Sequence, residues 1–99
     1  MTEPTPSVVD IATEQAQLGW MLCSPTGIAN AIYRALSETD FRIGGHGAIF
    51  RAVMDIHARG EVVDPVTVCA ELEERGELEA VGGPAYMVTL TATYDGPRF

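Results

Sequence analysis

GHGAIFRAVMDIHARG, from Gly45 to Gly60, is the stretch on which the fold turns. At about 100° per residue, Ile49, Phe50, Ala52, Val53, Met54, Ile56 and His57 fall within an arc of roughly 200°. A surface helix needs an apolar stripe only a little over about 100° wide. This helix must therefore be covered on more than one side, which makes it the central helix of a small all-helical domain. Its remaining face carries Arg51, Asp55 and Arg59. These form two i,i+4 charge pairs, each adding about 0.2 to 0.5 kcal/mol at a solvated surface. Burying Ile49, Phe50, Val53, Met54 or Ile56 contributes about 1.5 to 3 kcal/mol each, so packing decides where the helix sits.

Upstream, Ile11, Gln15, Leu18 and Leu22 recur at helical spacing with Asp10 as a suitable N-cap, predicting a first helix over Ile11–Cys23. Ser24 and Pro25 restart the chain as cap and first helical residue. Ile28, Ile32 and Leu36 then define a second helix, running to Leu36. Ser37 to Phe41 reads as a single turn with Phe41 plugging the core, and Gly44 and Gly45 punctuate before the central helix. Downstream, Asp64 and Pro65 repeat the cap-and-proline start, predicting a helix over Pro65–Arg75 that buries Val66, Cys69 and Leu72. Glu71, Glu73, Glu74 and Arg75 form its solvated face, and Gly76 ends it. ELEAV (Glu77 to Val81) reads as a further short helical turn. Pro84 opens a last helix through Tyr86, Met87 and Leu90. VVDI and EVVDPVTV are the only stretches that suit a short edge strand, and no Asn-Gly hairpin signal accompanies them. The resulting organisation is a flexible lead over residues 1–9, a helical domain over 10–94 and a turn-like tail over 95–99.

Composition narrows the function. The 99 residues suit one domain, and the formal net charge is -8 with no lysine present. Six arginines scattered among fourteen carboxylates do not make the clustered cationic surface that phosphate neutralisation requires. Direct nucleic-acid binding is not expected, whereas an acidic surface steers encounters with basic proteins. No segment suits a membrane span, and the polar N-terminus lacks the basic and apolar regions of a secretory signal, so a cytoplasmic location is expected. Cys23 and Cys69, far apart and without CxxC spacing, read as buried thiols.

The residues do not spell out an active site. His46 and His57 share a helix face but lie eleven residues apart, roughly 16 Å at 1.5 Å per residue, too far for one ion. No HExxH or GxSxG motif occurs, and a P-loop needs the lysine that is missing. No catalytic, metal or cofactor site is expected, and His46 is expected to cap its helix or pack near Phe41. Trp20 suits core or rim packing, with a partner anchor as the alternative.

Three segments resemble the N-terminal domain of DnaB-type replicative helicases. They are IATEQAQLGWML (Ile11 to Leu22), with its EQ, LG and hydrophobic pair; Asp40 and Phe41 followed by His46, Ile49 and Phe50; and HARGEVVDPVTVCAELEERGELEAVGGPAYM (His57 to Met87). The last is the most specific, keeping the order VD, VTV, EL, LE, VGG and AY without a gap. Together they span most of the chain from Ile11 to Leu90. Arg42 and Pro84 depart from the family's pattern, and Gly45 and Gly47 loosen the start of the central helix.

The resemblance implies an orthogonal bundle of about six helices, without catalytic activity or cofactor, that joins a collar on the helicase ring and receives the C-terminal domain of primase. Primase or the replicative helicase is thus the expected partner, with a homodimer as a further arrangement. Tyr86 and Met87 in GGPAYM are the matching candidates for partner contact, and Trp20 joins them from its own chemistry. The family's helical hairpin and RecA-like motor have no counterpart here. That pattern suits either the head alone or a stand-alone regulator of phage or mobile-element type that kept the fold for other partners.

Overall fold

Two of the helix starts form as their cap residues dictate. Ser24 Oγ accepts the Thr26 N–H, with Pro25 at the first helical position. Asp64 Oδ1 accepts the Thr67 N–H at 2.8 Å while Thr67 Oγ1 accepts the Asp64 N–H at 3.0 Å, a reciprocal cap ahead of Pro65. The computed structural model describes residues 8–96, with side chains from Asp10 onward. Its elements are α1 (Val8–Cys23), α2 (Pro25–Tyr33), a 3₁₀ turn (Glu38–Asp40), α3 (His46–Ala58), α4 (Pro65–Glu74) and α5 (Gly83–Ala92). No strand occurs among the described residues, and no helix among them is long and apolar enough to cross a membrane.

Several boundaries differ from the sequence reading. α1 begins at Val8 rather than Ile11, so Asp10 lies within its first turn instead of capping it. The rest of the lead, residues 1–7, and the tail beyond Gly96 fall outside the described residues. α2 stops at Tyr33 because Ala35 takes a left-handed conformation with φ 54°. The Ala35 and Leu36 N–H groups then close back on the Ile32 and Ala31 carbonyls, each at 3.0 Å. ELEAV makes turns only, so five α-helices and a 3₁₀ turn stand where about six helices were expected.

α3 is central, as its wide apolar arc requires. It packs against α1, α4 and the 3₁₀ turn, while α1 also meets α2 and α5, and α4 meets α5. Ile49, Phe50, Ala52, Val53 and Ile56 are buried against Leu18, Met21, Leu22, Ile28, Val68, Leu72, Met87 and Leu90. Phe41 packs on Phe50 with ring centroids 4.9 Å apart and planes tilted by 32°. The arc ends sooner than read, since His57 is exposed in the last turn, where it lines a cleft with Pro25 and Val62.

Two glycines fit closely. A Cβ on Gly19 would stand 2.2 Å from the Leu90 carbonyl oxygen, so α1 and α5 approach at a distance only glycine permits. Gly45, at φ 90°, caps α3, and a Cβ there would meet Val81 Cα at 3.0 Å. Gly47 likewise sits close to the Glu38 carbonyl, so the start of α3 is tightly packed and not loosened.

Arg51 in α3 and Arg59 at its C-cap reach other elements instead of forming i,i+4 pairs with Asp55. Arg51 meets Glu38 at 3.2 Å and Glu77 at 2.9 Å, and Arg59 meets Glu71 at 2.7 Å and also pairs with Glu61. Arg75 joins Asp55 and Glu71, each at 2.7 Å. Glu71, read as part of a solvated face, is thus clasped between two guanidinium groups. Their hydrogen bonds, Arg59 first and Arg75 second, hold its carboxyl below the ordinary range.

Candidate protein-docking site

α5, GPAYMVTLTA, has apolar residues on every side. A helix of that kind cannot satisfy all of them against one neighbour. Met87 and Leu90 enter the core, 1% and 0% exposed. Tyr86 turns towards α1 and α3, whereas Val88 remains 67% exposed.

Tyr86 is anchored by a polar network that crosses three helices. Gln15 Nε2 donates to the Tyr86 hydroxyl at 3.2 Å. The hydroxyl has one proton, which it gives to His46 Nε2. By that donor count His46 carries its own proton on Nδ1 and donates it to Glu14 Oε1 at 2.9 Å. Glu14 also accepts the Arg42 N–H at 2.9 Å and the Ile43 N–H at 3.1 Å, tying the loop before α3 to α1. The His46 and Tyr86 rings stack with centroids 5.7 Å apart. His46 is fully buried and neither caps α3 nor serves merely as packing beside Phe41, since both ring nitrogens are engaged in this network. Among the described residues no three His, Cys, Asp or Glu side chains gather at a spacing that could hold a metal ion.

On its other side α5 leaves an open seam against α4. A cleft of about 450 Å³ is lined by Pro65, Val66, Cys69, Glu73, Pro84 and Val88, with Met87 at its base. Val66 is 75% exposed, contrary to its expected burial, because Val68 and Leu72 are the residues that α4 turns into the core. Cys69 is half-buried in the floor rather than a buried thiol. Burial first, and the neighbouring Glu73 charge second, push its thiol up from the ordinary value. Cys23 is also half-buried.

Of the three residues proposed for partner contact, Tyr86 is half-buried and pinned by the network, so it sets the position of α5. Met87 is enclosed in the core and supports the cleft from beneath; this corrects the expectation that its side chain is offered to a partner. Trp20 is half-buried and donates its indole N–H to Thr26 Oγ1 at 2.7 Å, on α2 and not at this seam. The sequence reading missed Val66 and Val88. The uniform apolarity of α5 was the available signal, since it leaves more apolar surface than one core can take.

These features define a small helical domain with a closed polar junction and an open apolar seam. The family model described as the DnaB-like helicase N terminal domain matches residues 7–98. The chain belongs to that family. It is 44% identical over 84 residues to the replicative DNA helicase DnaB of Mycobacterium leprae, covering 85% of this chain and 14% of that protein. With DnaB of Geobacillus stearothermophilus the identity is 40% over 80 residues, 81% of this chain and 17% of the relative. The crystal structure of the N-terminal domain of DnaB helicase from Mycobacterium tuberculosis superposes with a TM-score of 0.84 at 41% identity, covering 96% of this chain and 62% of that one. The chain thus spans less than a fifth of the length of these helicases.

Proposed function

We propose that the chain is a non-catalytic docking module of the DNA replication machinery, whose α4–α5 seam receives the C-terminal domain of primase or the replicative helicase ring. The observation that carries this reading is the exposure of Val66 and Val88 across one apolar cleft. Aliphatic side chains gathered in a concave seam gain free energy only when a partner covers them, at about 25 cal/mol per Å² removed from water. Family membership supports the choice of partner class, and a replication role is consistent with a cytoplasmic location. Tyr86 acts here as a positioning residue, holding α5 through His46 and Glu14.

A calorimetric titration with the cognate primase C-terminal domain tests this. Saturable binding is expected, weakened at least tenfold by Val66→Asp or Val88→Asp. Tyr86→Ala is expected to weaken it less, by letting α5 shift. Binding that both aspartate variants retain would move the site elsewhere on the domain. If neither primase nor the assembled helicase ring binds, the docking role itself is wrong.

A further inference from the structure

We infer that the occupant of the α4–α5 seam is an amphipathic helix with an arginine- or lysine-bearing end, supplied by a partner and not by a second copy of this chain. The inference rests on the reading of the seam as a docking site and adds the chemistry of what docks.

The seam is longer than one cleft. A second cleft of about 400 Å³, lined by Gly76, Leu78 and Glu79, shares Glu73 and Pro84 with the first. The two clefts adjoin at these shared residues, and the trough they offer a partner is apolar around Val66 and Val88 and acidic at Glu73 and Glu79, on α4 and the connector to α5. The carboxylates near it are of two kinds. Glu71 and Glu77 are held by Arg59, Arg75 and Arg51. Glu73 and Glu79 are exposed, and no ion pair is formed by either among the described residues. The field of Glu73 is felt on the trough floor, where it adds to burial in raising the Cys69 thiol. A partner that fills such a trough places apolar anchors at i, i+3, i+4 and i+7 over Val66 and Val88. It brings cations to the free carboxylates at the acidic end. Cations in its last turn also complement that helix's own dipole.

A second copy fits this surface poorly. The chain carries a net charge of -8, and Arg51, Arg59 and Arg75 are already engaged. Like-charged surfaces brought together oppose association. Among the described residues, the cationic apolar segment most exposed is Ile32–Tyr33–Arg34 at the end of α2, where Tyr33 is 90% exposed and Arg34 donates to Gln17. It offers a single cation against two carboxylates, and it is the competitor that the experiment must exclude.

The probe is a synthetic helical peptide of about eighteen residues with leucines at i, i+3, i+4 and i+7 and two arginines in its last turn. Its control has glutamates in place of the arginines. Titrated into the isotope-labelled chain, the arginine peptide is expected to give saturable amide shifts confined to residues 65–79 and 84–88. Glu73→Arg with Glu79→Arg is expected to weaken that binding at least tenfold and to leave the melting temperature unchanged, since both side chains are exposed. The glutamate peptide should not saturate. Equal binding of the two peptides, or shifts centred on another face, would overturn the inference. So would self-association of the chain that either Arg34→Glu or Val66→Asp abolishes. Its failure is separable from that of the docking role. Primase binding lost in Val66→Asp but kept in the charge-reversed double variant preserves the role and rejects this inference, whereas peptide binding without primase binding does the reverse.

Discussion

α5 has two sides, and they invert the ordinary distribution of side chains. Towards α1 and α3 it meets a polar junction that is dry, with His46 0% and Glu14 8% exposed. Towards α4 it meets an apolar seam that is wet, with Val66 and Val88 mostly exposed. The polar junction is complete within the chain, because Gln15, Tyr86, His46, Glu14 and the loop N–H groups satisfy one another. The apolar seam is incomplete, because nothing among the described residues covers it. The polar side chains of Tyr86, His46 and Glu14 fasten three helices together, whereas the aliphatic seam is the surface that the proposed docking role assigns to a partner.

That contrast predicts a gradient of effects. Phe50→Ala, which empties part of the core around α3, should cost about 3 to 5 kcal/mol. Denaturant unfolding measures it, and a negligible shift would mean that α3 is not the centre of the fold. His46→Ala should cost about 1 to 3 kcal/mol, because it strips a buried partner from Glu14 and from Tyr86. It should also loosen the α5 start, seen as faster amide exchange from Tyr86 to Leu90. If instead it melts like the wild type, the junction is not a fastening.

Glu71→Gln probes the ion-pair face that borders the seam on the far side of α4. The folded carboxyl is held below its unfolded value by Arg59 and Arg75, so its contribution is fully present above about pH 4.3, the ordinary glutamate value. It is lost as pH falls through the lowered folded value. The melting temperatures of wild type and variant should therefore differ at neutral pH and converge in acid. Added salt should narrow the neutral difference, since the pairs are partly exposed. The smallest effect on stability belongs to Val66→Asp, expected within about 0.5 kcal/mol of wild type by thermal melting. A large loss there would show that the seam is part of the core and would remove the contrast.

Much of this was legible in the residues. The Ser24–Pro25 and Asp64–Pro65 starts and the glycine ends at Gly60 and Gly76 depend on contacts within one turn. Ala35 escaped notice because its left-handed turn is one that glycine usually takes, and nothing in its side chain announces it. The candidate site was legible only in part. GGPAYM drew attention to α5, but it singled out Met87, which the core absorbs, and passed over Val88, which stays exposed.

By itself, then, the sequence determined the helix starts at Ser24–Pro25 and Asp64–Pro65, the ends at Gly60 and Gly76 and the central place of α3, because capping, glycine punctuation and the width of an apolar arc act over a few residues. It also carried the family. Tertiary structure alone decided which face of α4 and of α5 is covered, which carboxylate each arginine finds, and that His46 closes a junction. Those outcomes join residues 32, 40 and 71 positions apart along the chain. Only the packed geometry of three helices brings such residues within hydrogen-bond reach.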